Sequence, residues 1–273
     1  MPKRGKHAKK VSRQPWNIAG KVVLVTGANT GIGKATVLEL AKMGAQRVIM
    51  ACRNLEQAEK AADEIRQKID TNQTTLVIRH LDLSSMESVR KFCKQMLASE
   101  KKLHVIINNA GMLAPSRLTR TVDGHELTFA TNHLGHFLMT NLLMPLLKKS
   151  APARIVNVST HWFMFALYSY WFRLNDPNFV QDEKAYWNPA VYSHTKYCNI
   201  LFTHSLAKKL QGTGVTAYSV HPGVIGSDIA RDFNIVFRTL VPYVFPSTKN
   251  GAKTSIYCAT EPGIEHLSSN YFM

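Results

Sequence analysis

The sequence predicts an α/β fold in which a doubly wound parallel sheet of about seven strands forms a single domain. Short runs of β-branched residues alternate with helical patterns along most of the 273 residues, an alternation typical of a parallel sheet with helices on both faces. A hydrophobic content of 45% is sufficient for one full core. The elements below are therefore expected to build one compact sheet.

The predicted strands are short apolar runs bounded by turn-forming residues. They cover residues 21–26, 47–52, 74–80, 103–108, 154–159 and 215–220, with a last short strand at 270–272. Helical spacing of apolar residues predicts helices at 33–43, 55–69, 85–99, 126–149 and 193–211. Because crossovers between parallel strands are right-handed, the helices should be shared between the two faces of the sheet.

Charge is distributed unevenly along the chain, which carries a formal net charge of +16. Seven basic residues and no acidic residue precede Val22. We interpret residues 1–19 as a basic, flexible leader and residues 20–273 as the folded domain. The leader either touches anionic lipid, nucleic acid or an acidic partner, or is simply a solvated arm. No nucleic-acid-binding module accompanies it, so nucleic acid is the least favoured partner.

Cysteine usage and hydropathy favour an intracellular protein. The four cysteines, Cys52, Cys93, Cys198 and Cys258, lie far apart and indicate neither a zinc site nor a disulfide framework. No apolar run approaches the roughly 20 residues that span a bilayer, and no secretory signal is present. We expect a cytoplasmic protein, or one bound peripherally to the endoplasmic reticulum or a mitochondrial membrane.

A glycine-rich turn directly follows the first predicted strand. Thr26 and Gly27 are followed by Gly31 and Gly33 and then by a helical pattern, the strand, turn and helix that pyrophosphate binding requires. A P-loop is excluded, because Lys34 is followed by alanine rather than by serine or threonine. The turn therefore predicts a dinucleotide site and disfavours hydrolysis of nucleoside triphosphates.

Cofactor preference should be set at the end of the second strand, where an acidic residue favours NAD and an arginine can pair with a 2′-phosphate. Arg53 stands there, and the first carboxylate after it is Glu56. We predict NADP(H), and with it reduction rather than oxidation, since the cellular NADPH pool is largely reduced. The alternative is that Arg53 is an exposed residue at the start of a helix and has no role in cofactor binding.

Tyr192 and Lys196 are four residues apart in a predicted helix and should project from one face. An ammonium beside a phenol stabilises the phenolate and lowers the phenol pKa from its usual value of about 10. Tyr192 is therefore a candidate proton donor near neutral pH. Read singly, both residues could be ordinary surface side chains.

Several separated motifs in order give the chain a family resemblance. With the glycine turn, the motifs Asn108-Asn109-Ala110-Gly111, Ser159, Tyr192-x-x-x-Lys196 and His221-Pro222-Gly223 resemble the short-chain dehydrogenase/reductase family, whose sheet is of Rossmann type. Residues 26–34, 51–53, 131–137, 200–203 and 218–223 are similar, more narrowly, to the microsomal and mitochondrial retinol dehydrogenases.

The resemblance implies specific roles. Gly27, Gly31 and Gly33 would line the diphosphate, Asp82 would meet the adenine and Asn109 would support the cofactor. Asn29, Ile32, Pro222 and Gly223 would complete the cofactor contacts. The catalytic set would be Asn132, Ser159, Tyr192 and Lys196. Ser159 and Tyr192 would bind the carbonyl oxygen, Tyr192 would supply the proton, and Lys196 would hold the nicotinamide ribose, with Asn132 positioning a water beside it.

Two other chemistries are disfavoured. His133 and His136 share a helix face, but no third metal ligand is convincingly spaced, so we expect no metal site. Ser159 lacks the Gly-x-Ser-x-Gly elbow of serine hydrolases.

The substrate is expected to be lipophilic. Seven of the twelve residues from 161 to 172 are aromatic, and a second apolar stretch covers 233–245. The first segment could wall a substrate pocket, dip into a membrane interface or pack as core. Retinal and retinol are the leading substrates, with hydroxysteroids and lipid-peroxidation aldehydes as alternatives.

Three departures from the retinol dehydrogenase pattern leave a second reading open. A hydrophobic anchor is missing at the N-terminus, the loop before Tyr192 is long, and the chain stops at Met273 where relatives continue with further helix. A homodimer contact or the substrate pocket could be affected. The alternative to an active enzyme is therefore an NADP(H)-binding scaffold or a truncated isoform of low activity.

Overall fold

The computed structural model of the protein describes residues 16–161, 164, 175–178, 183–223 and 247–273. Most of the basic leader, most of the aromatic segment at 161–172 and the apolar stretch at 233–245 lie outside the described residues. The interpretations placed on those three segments are therefore not addressed by the structure.

Seven parallel strands form one sheet in the order β3-β2-β1-β4-β5-β6-β7. The strands are β1 Val22–Thr26, β2 Arg47–Cys52, β3 Thr75–His80, β4 Val105–Asn108, β5 Ala153–Val158, β6 Val215–Val220 and β7 Tyr271–Phe272. Val25 of β1 lies opposite Met50 of β2 on one side and Ile107 of β4 on the other. The predicted doubly wound sheet is confirmed, and its strand order reverses between β1 and β4.

The helices are α1 Gly31–Lys42, α2 Leu55–Arg66, α3 Met86–Ser99, α4 Leu127–Phe129, α5 Gly135–Lys149, α6 Asn188–Lys209 and α7 Thr248–Thr260. A π-helix, Ala130–Leu134, joins α4 to α5, and 3₁₀ turns cover Glu183–Ala185 and Ile264–Leu267. All five predicted helices are present with shifted ends. The predicted helix at 126–149 is broken by the π-helix, and α7 was not predicted.

Two hydrophobic layers cover the sheet. Helices α1, α2 and α7 bury residues such as Val37, Ala61 and Ala259 against one face. Helices α3, α5 and α6 bury residues such as Phe92 and Leu143 against the other. The strands between the two layers, β1, β2, β4, β5 and β6, are largely buried on both faces, which explains their continuous apolar runs. All four cysteines are buried and free.

Gly135 allows α5 to approach the turn after β3. A Cβ added at this position would overlap the main-chain oxygen of Leu83 and would lie 2.9 Å from its Cβ atom. Because the obstructing atom belongs to the backbone, no side-chain rotation could relieve the overlap. The glycine therefore fixes how closely the start of α5, and the π-helix before it, pack against the sheet.

Lysine pairs end three helices of one layer. Lys101 and Lys102 follow α3, Lys148 and Lys149 end α5, and Lys208 and Lys209 end α6. All six are exposed and none forms an ion pair with a described residue. Since each pair precedes the next strand, the three pairs lie at the amino-terminal edge of the sheet.

None of the described helices has the length and apolar character needed to cross a bilayer.

One edge of the sheet ends in a very short strand. Strand β7 pairs with β6 only at Ser219 and Val220. Further back, the Ser269 main-chain N–H donates to the Ala217 oxygen at 2.8 Å, and Ser268 Oγ accepts from the Ala217 N–H at 3.1 Å. The turn before β7 therefore occupies the backbone groups of β6 at Ala217, where β7 itself does not reach.

Candidate active site

Turns that carry Ser159 and many of the predicted cofactor residues follow six different strands at one edge of the sheet, whereas Asn132, Tyr192 and Lys196 lie on helices. The turns concerned begin at Gly27 after β1, Arg53 after β2, Leu81 after β3, Asn109 after β4, Ser159 after β5 and His221 after β6. Because all strands are parallel, these turns converge at the carboxyl edge, where the order reversal between β1 and β4 opens a crevice. The structure thus brings the cofactor and catalytic candidates to the same place.

Neighbouring backbone lies very close to Gly27 and Gly33 in the glycine-rich turn. We call residues 27–33 the cradle. Gly27 has a φ of +62°, and a Cβ there would lie 2.9 Å from the Ala110 Cα atom. A Cβ on Gly33 would overlap the Gly27 oxygen and lie 2.6 Å from Asn109 Nδ2. Gly31 and Gly223 also have positive φ, +54° and +85°. Larger residues would fill the space in which a diphosphate could approach the main chain.

The first turn of α1 carries nothing that competes with an anion. The Thr30 side chain does not cap the helix, and no acidic residue lies in its first turn. Ile32 therefore has its N–H at a helix end whose partial charge is positive. Asn29 Nδ2 donates to Gln57 Oε1 at 3.1 Å, which fixes the turn against α2. These residues fit the diphosphate of a dinucleotide.

Arg53 is exposed immediately after β2 and forms no ion pair with a described residue. Its neighbour Asn54 caps α2, accepting from the Gln57 N–H at 2.9 Å. Asn54, and not Arg53, therefore caps the helix. The exposed Arg53 guanidinium remains available to bind an anionic group. Asp82 Oδ1 accepts from the Ser84 N–H at 2.9 Å and from Ser84 Oγ at 2.6 Å, which orients this carboxylate beyond β3.

Asn109 ties the ends of β1 and β4 together. Its Nδ2 donates to the Thr26 oxygen at 2.9 Å. In return, Thr26 Oγ1 accepts from the Asn109 and Ala110 N–H groups, both at 2.9 Å. Thr26 was not predicted as a site residue, although its place in the glycine motif was a signal that could have identified it.

Asn132 is fully buried within the π-helix, and its carboxamide makes three hydrogen bonds. Its Oδ1 accepts from the Met112 N–H at 2.9 Å, and its Nδ2 donates to the Met112 oxygen at 3.0 Å and to Thr195 Oγ1 at 3.1 Å. Its main-chain oxygen accepts from Asn199 Nδ2 at 3.1 Å. Asn132 therefore joins the turn after β4 to α6.

Ser159, Tyr192 and Lys196 form one buried cluster. Ser159 Oγ donates to the Lys196 oxygen at 2.8 Å, and Lys196 Nζ donates to the Val158 oxygen at 3.1 Å. The same Nζ lies 5.8 Å from the centre of the Tyr192 ring. A Cβ on Gly111 would lie 3.2 Å from Nζ, so the amine reaches the turn after β4. The predicted catalytic residues are brought together.

Burial dominates the protonation of this cluster. It raises the pKa of Tyr192 and lowers the pKa of Lys196 to about 8. The expected lowering of the Tyr192 pKa is therefore wrong for the structure as it stands. The physical reason is a balance of two free energies. Removing the phenolate from water costs more than the stabilisation that an ammonium 5.8 Å from the ring centre provides.

A network of buried polar side chains on β4, β5, α5 and α6 was not predicted from the sequence. Asn108 Nδ2 donates to Asn157 Oδ1 at 2.7 Å and to Thr140 Oγ1 at 3.0 Å. Asn157 Nδ2 donates to Thr203 Oγ1 at 2.9 Å. These buried hydrogen bonds link β4 and β5 to α5 and α6, so they fix the relative positions of the elements that carry the site.

The two neighbouring histidines have different partners. His133 Nδ1 lies 2.9 Å from Asn199 Oδ1, and His136 Nε2 lies 2.9 Å from Thr26 Oγ1. Within the described part of the chain, no three His, Cys, Asp or Glu side chains are grouped as a metal site would require.

Comparison with known proteins gives a family and close relatives. The family described as short chain dehydrogenase matches residues 21–168. Retinol dehydrogenase 12 of Mus musculus is 49% identical over 259 residues, covering 93% of this chain and 78% of the relative. Retinol dehydrogenase 11 of Homo sapiens is 49% identical over 258 residues, covering 93% and 77%.

Solved structures share the fold at low identity. The Pseudomonas aeruginosa RhlG/NADP active-site complex superposes with a TM-score of 0.72 at 23% identity, covering 95% of this chain and 97% of that one. A short-chain type dehydrogenase/reductase from Mycobacterium marinum has a TM-score of 0.70 at 20% identity, covering 94% of both chains.

Proposed function

The chain belongs to the short-chain dehydrogenase family, in its retinol dehydrogenase-like subgroup, and we propose that it uses NADP(H) to interconvert a carbonyl and an alcohol on a lipophilic substrate. Retinal and retinol are the leading pair. The observation that carries this proposal is the buried cluster of Ser159, Tyr192 and Lys196 beside Asn132, at the edge of the sheet where the dinucleotide cradle lies.

When bound, the nicotinamide supplies hydride to the carbonyl carbon, and negative charge develops on the carbonyl oxygen. Tyr192 donates a hydrogen bond and then the proton to that oxygen. The Ser159 hydroxyl, which donates to the Lys196 oxygen at 2.8 Å, turns to donate a second bond to the same oxygen. In the reverse oxidation, Tyr192 accepts the alcohol proton.

Lys196 and Asn132 support the proton donor. Lys196 lies one helical turn after Tyr192 and, in its charged form, stabilises the phenolate that proton transfer leaves behind. Lys196 Nζ also lies close to Gly111, and in this proposal it would hold the nicotinamide ribose. Asn132 holds Thr195 next to Lys196 through its Nδ2 atom at 3.1 Å, and in this proposal it positions a water that returns the proton from solvent.

The preference for NADP(H) rests on Arg53. Its exposed guanidinium has no described ion-pair partner and follows β2, where the 2′ position of the adenosine ribose lies in this fold. An arginine there can bind a phosphate in bidentate geometry.

A lipophilic substrate fits the apolar surroundings of Tyr192. Leu113, Ala114, Leu118 and Val191 pack with Tyr192 in one small hydrophobic cluster. Such a wall excludes water from the reacting oxygen and offers contact to a hydrocarbon chain. The curated relatives are named retinol dehydrogenases, which makes a retinoid the first substrate to test. A peripheral contact with the endoplasmic reticulum or mitochondrial membrane would deliver it.

The test is NADPH consumption by the purified protein with retinal, medium-chain aldehydes and ketosteroids, beside Tyr192→Phe. We expect retinal reduction, and a loss of about 10²- to 10⁴-fold in kcat for the variant with NADPH affinity unchanged. Near-normal turnover in Tyr192→Phe would remove the proposed proton donor. Tight NADPH binding without turnover of any carbonyl would favour a cofactor-binding scaffold instead.

A further inference from the structure

His136 is a buried histidine that the proposed reaction does not use. It lies in the first turn of α5, one helical turn after Asn132, and is 1% exposed. Both ring nitrogens have partners: Nδ1 lies 3.1 Å from the Asn132 oxygen and Nε2 lies 2.9 Å from Thr26 Oγ1. The ring therefore stands between a proposed catalytic residue and the end of β1.

The partners determine the tautomer. A carbonyl oxygen can only accept, so Nδ1 must carry the proton and donate it to Asn132. Neutral Nε2 then accepts from the Thr26 hydroxyl. The other acceptor within reach of that hydroxyl, the Ile107 oxygen, is longer at 3.5 Å. Burial lowers the His136 pKa to about 3, so the neutral ring is the form expected at neutral pH.

The orientation of Thr26 follows from this tautomer. Because its proton goes to His136, its lone pairs face the N–H groups of Asn109 and Ala110, both at 2.9 Å. Ala110 is also the residue that a Cβ on Gly27 would meet. His136 thus fixes the turn after β4 against the glycine cradle.

At the other ring nitrogen, His136 holds the π-helix. The Asn132 oxygen lies where the regular helical pattern is interrupted, and it accepts from both His136 Nδ1 and Asn199 Nδ2. With its backbone held from two sides, Asn132 keeps its side chain on Met112 and Thr195, beside Lys196.

We propose that His136 is a positioning residue that couples the dinucleotide cradle to Asn132, by bridging Thr26 and the π-helix as a neutral Nδ1–H imidazole. The kinetic part of this proposal rests on the proposed oxidoreductase function. The bridge makes cofactor seating and proton delivery depend on one ring, through two separate hydrogen bonds.

Two substitutions separate these bonds. In His136→Asn the side-chain amide can occupy the place of Nδ1 and donate to Asn132, but it cannot reach Thr26. In His136→Gln the amide oxygen can occupy the place of Nε2 and accept from Thr26, while the bond to Asn132 is lost. We expect His136→Asn to weaken NADPH binding about tenfold with little change in kcat, and His136→Gln to lower kcat about tenfold with little change in NADPH affinity.

His104 provides the matched control. It is also buried and bonded to backbone, accepting from the Val22 N–H at 3.0 Å, but it lies at the opposite edge of the sheet. His104→Asn and His104→Gln should lower thermal stability without separating NADPH affinity from kcat. Parallel changes of both parameters in the two His136 variants, or no change in either, would overturn the coupling.

Nitrogen NMR of histidine-labelled protein tests the tautomer without turnover. We expect one buried ring, missing in the His136 variants, with a protonated Nδ1 and an unprotonated Nε2 from pH 8 to about pH 5. The opposite tautomer would overturn the proposal. If the protein binds NADPH but reduces no carbonyl, the proposed function fails, whereas the NADPH affinities of the two variants and the tautomer still decide on His136.

Discussion

Arg53 is a single exposed side chain on which the cofactor preference depends. Replacing it with aspartate places a carboxylate where a 2′-phosphate would lie, and offers an acceptor to the 2′-hydroxyl of NAD instead. We expect Arg53→Asp to shift the ratio of kcat/KM values for NADPH and NADH by about 10- to 100-fold toward NADH. The matched control is Arg90→Asp, which changes an exposed arginine on α3. An unchanged kcat/KM ratio in Arg53→Asp would show that Arg53 does not distinguish the two cofactors at the ribose.

Lys196 should reduce the stability of the fold at neutral pH. Its pKa is lowered from 10.5 to about 8 by burial, so below about pH 8 the folded chain bears the full cost of a buried ammonium. Between pH 8 and 10.5 the folded state has lost the proton that the unfolded state still holds, and this cost falls. Lys196→Met should therefore raise the free energy of unfolding by on the order of 2 kcal/mol at pH 7, and by less at pH 10.

Denaturant unfolding at several pH values measures this difference. Tyr192→Phe serves as the control, since it also changes the cluster but keeps the lysine. Suppose that the increase in the free energy of unfolding caused by Lys196→Met were the same at every pH from 7 to 10. The Lys196 amine would then not be desolvated, contrary to its buried position in the structure.

Some of the site was predictable from the sequence at residue level and some was not. Tyr192 and Lys196 were predicted from their spacing, because one helical turn fixes their relation without any distant contact. His136 and Thr26 were not paired, since their bond joins residues 110 positions apart. The protonation of Tyr192 was misjudged because spacing reveals a neighbouring charge but not the degree of burial.

At the scale of elements, helix and strand types followed from periodicity, but two features did not. The π-helix Ala130–Leu134 shares its apolar pattern with the flanking helices, and the bonds that stabilise it come from Met112 and Asn199. Helix α7 buries mainly small residues such as Gly251, Ala252 and Ala259. Their weak hydrophobic signal could not distinguish this helix from a loop.

Gly135 provides a test of helix placement. Alanine is favoured over glycine within helices by about 1 kcal/mol, so propensity alone predicts that Gly135→Ala stabilises the protein. The overlap with the Leu83 oxygen leads us to expect a net loss of about 2 to 4 kcal/mol in the free energy of unfolding.

Gly124→Ala is the comparison, because a Cβ there meets nothing within 4 Å although its φ is +79°. It should cost only about 1 kcal/mol of backbone strain. If Gly135→Ala proved as stable as the unmodified protein, α5 would have to pack farther from the turn after β3 than described.

At the scale of the whole molecule, the net charge of +16 and the exposed lysine pairs at the amino-terminal edge favour contact with anionic surfaces. We expect the protein to co-sediment with phosphatidylserine-containing vesicles at low salt, but not with neutral phosphatidylcholine vesicles. Raising the salt to about 0.5 M should release it, since screening then acts over a few ångströms.

Changing the three pairs, Lys101 and Lys102, Lys148 and Lys149, and Lys208 and Lys209, to glutamine isolates their contribution from that of the leader. A variant that sediments as strongly as the unmodified protein would assign the attraction to other charges. The control replaces Lys60 and Lys253, which lie on exposed helix surfaces away from this edge, and the loss of binding is compared per charge removed.

The sheet itself was predictable at this scale, because alternating strands and helices with right-handed crossovers permit few arrangements. The seven parallel strands of one sheet agree with that expectation. The sequence could not reveal how the turns after the strands bond to each other, since these contacts depend on the assembled sheet.

The edge beside β6 bears on how the protein behaves when concentrated. A parallel sheet with a bare outermost strand offers its backbone to any extended chain, including another copy of itself. Here Ser268 and Ser269 already occupy the Ala217 backbone groups. Addition of a strand to β6 at Ala217 would first require the turn at 268–270 to detach.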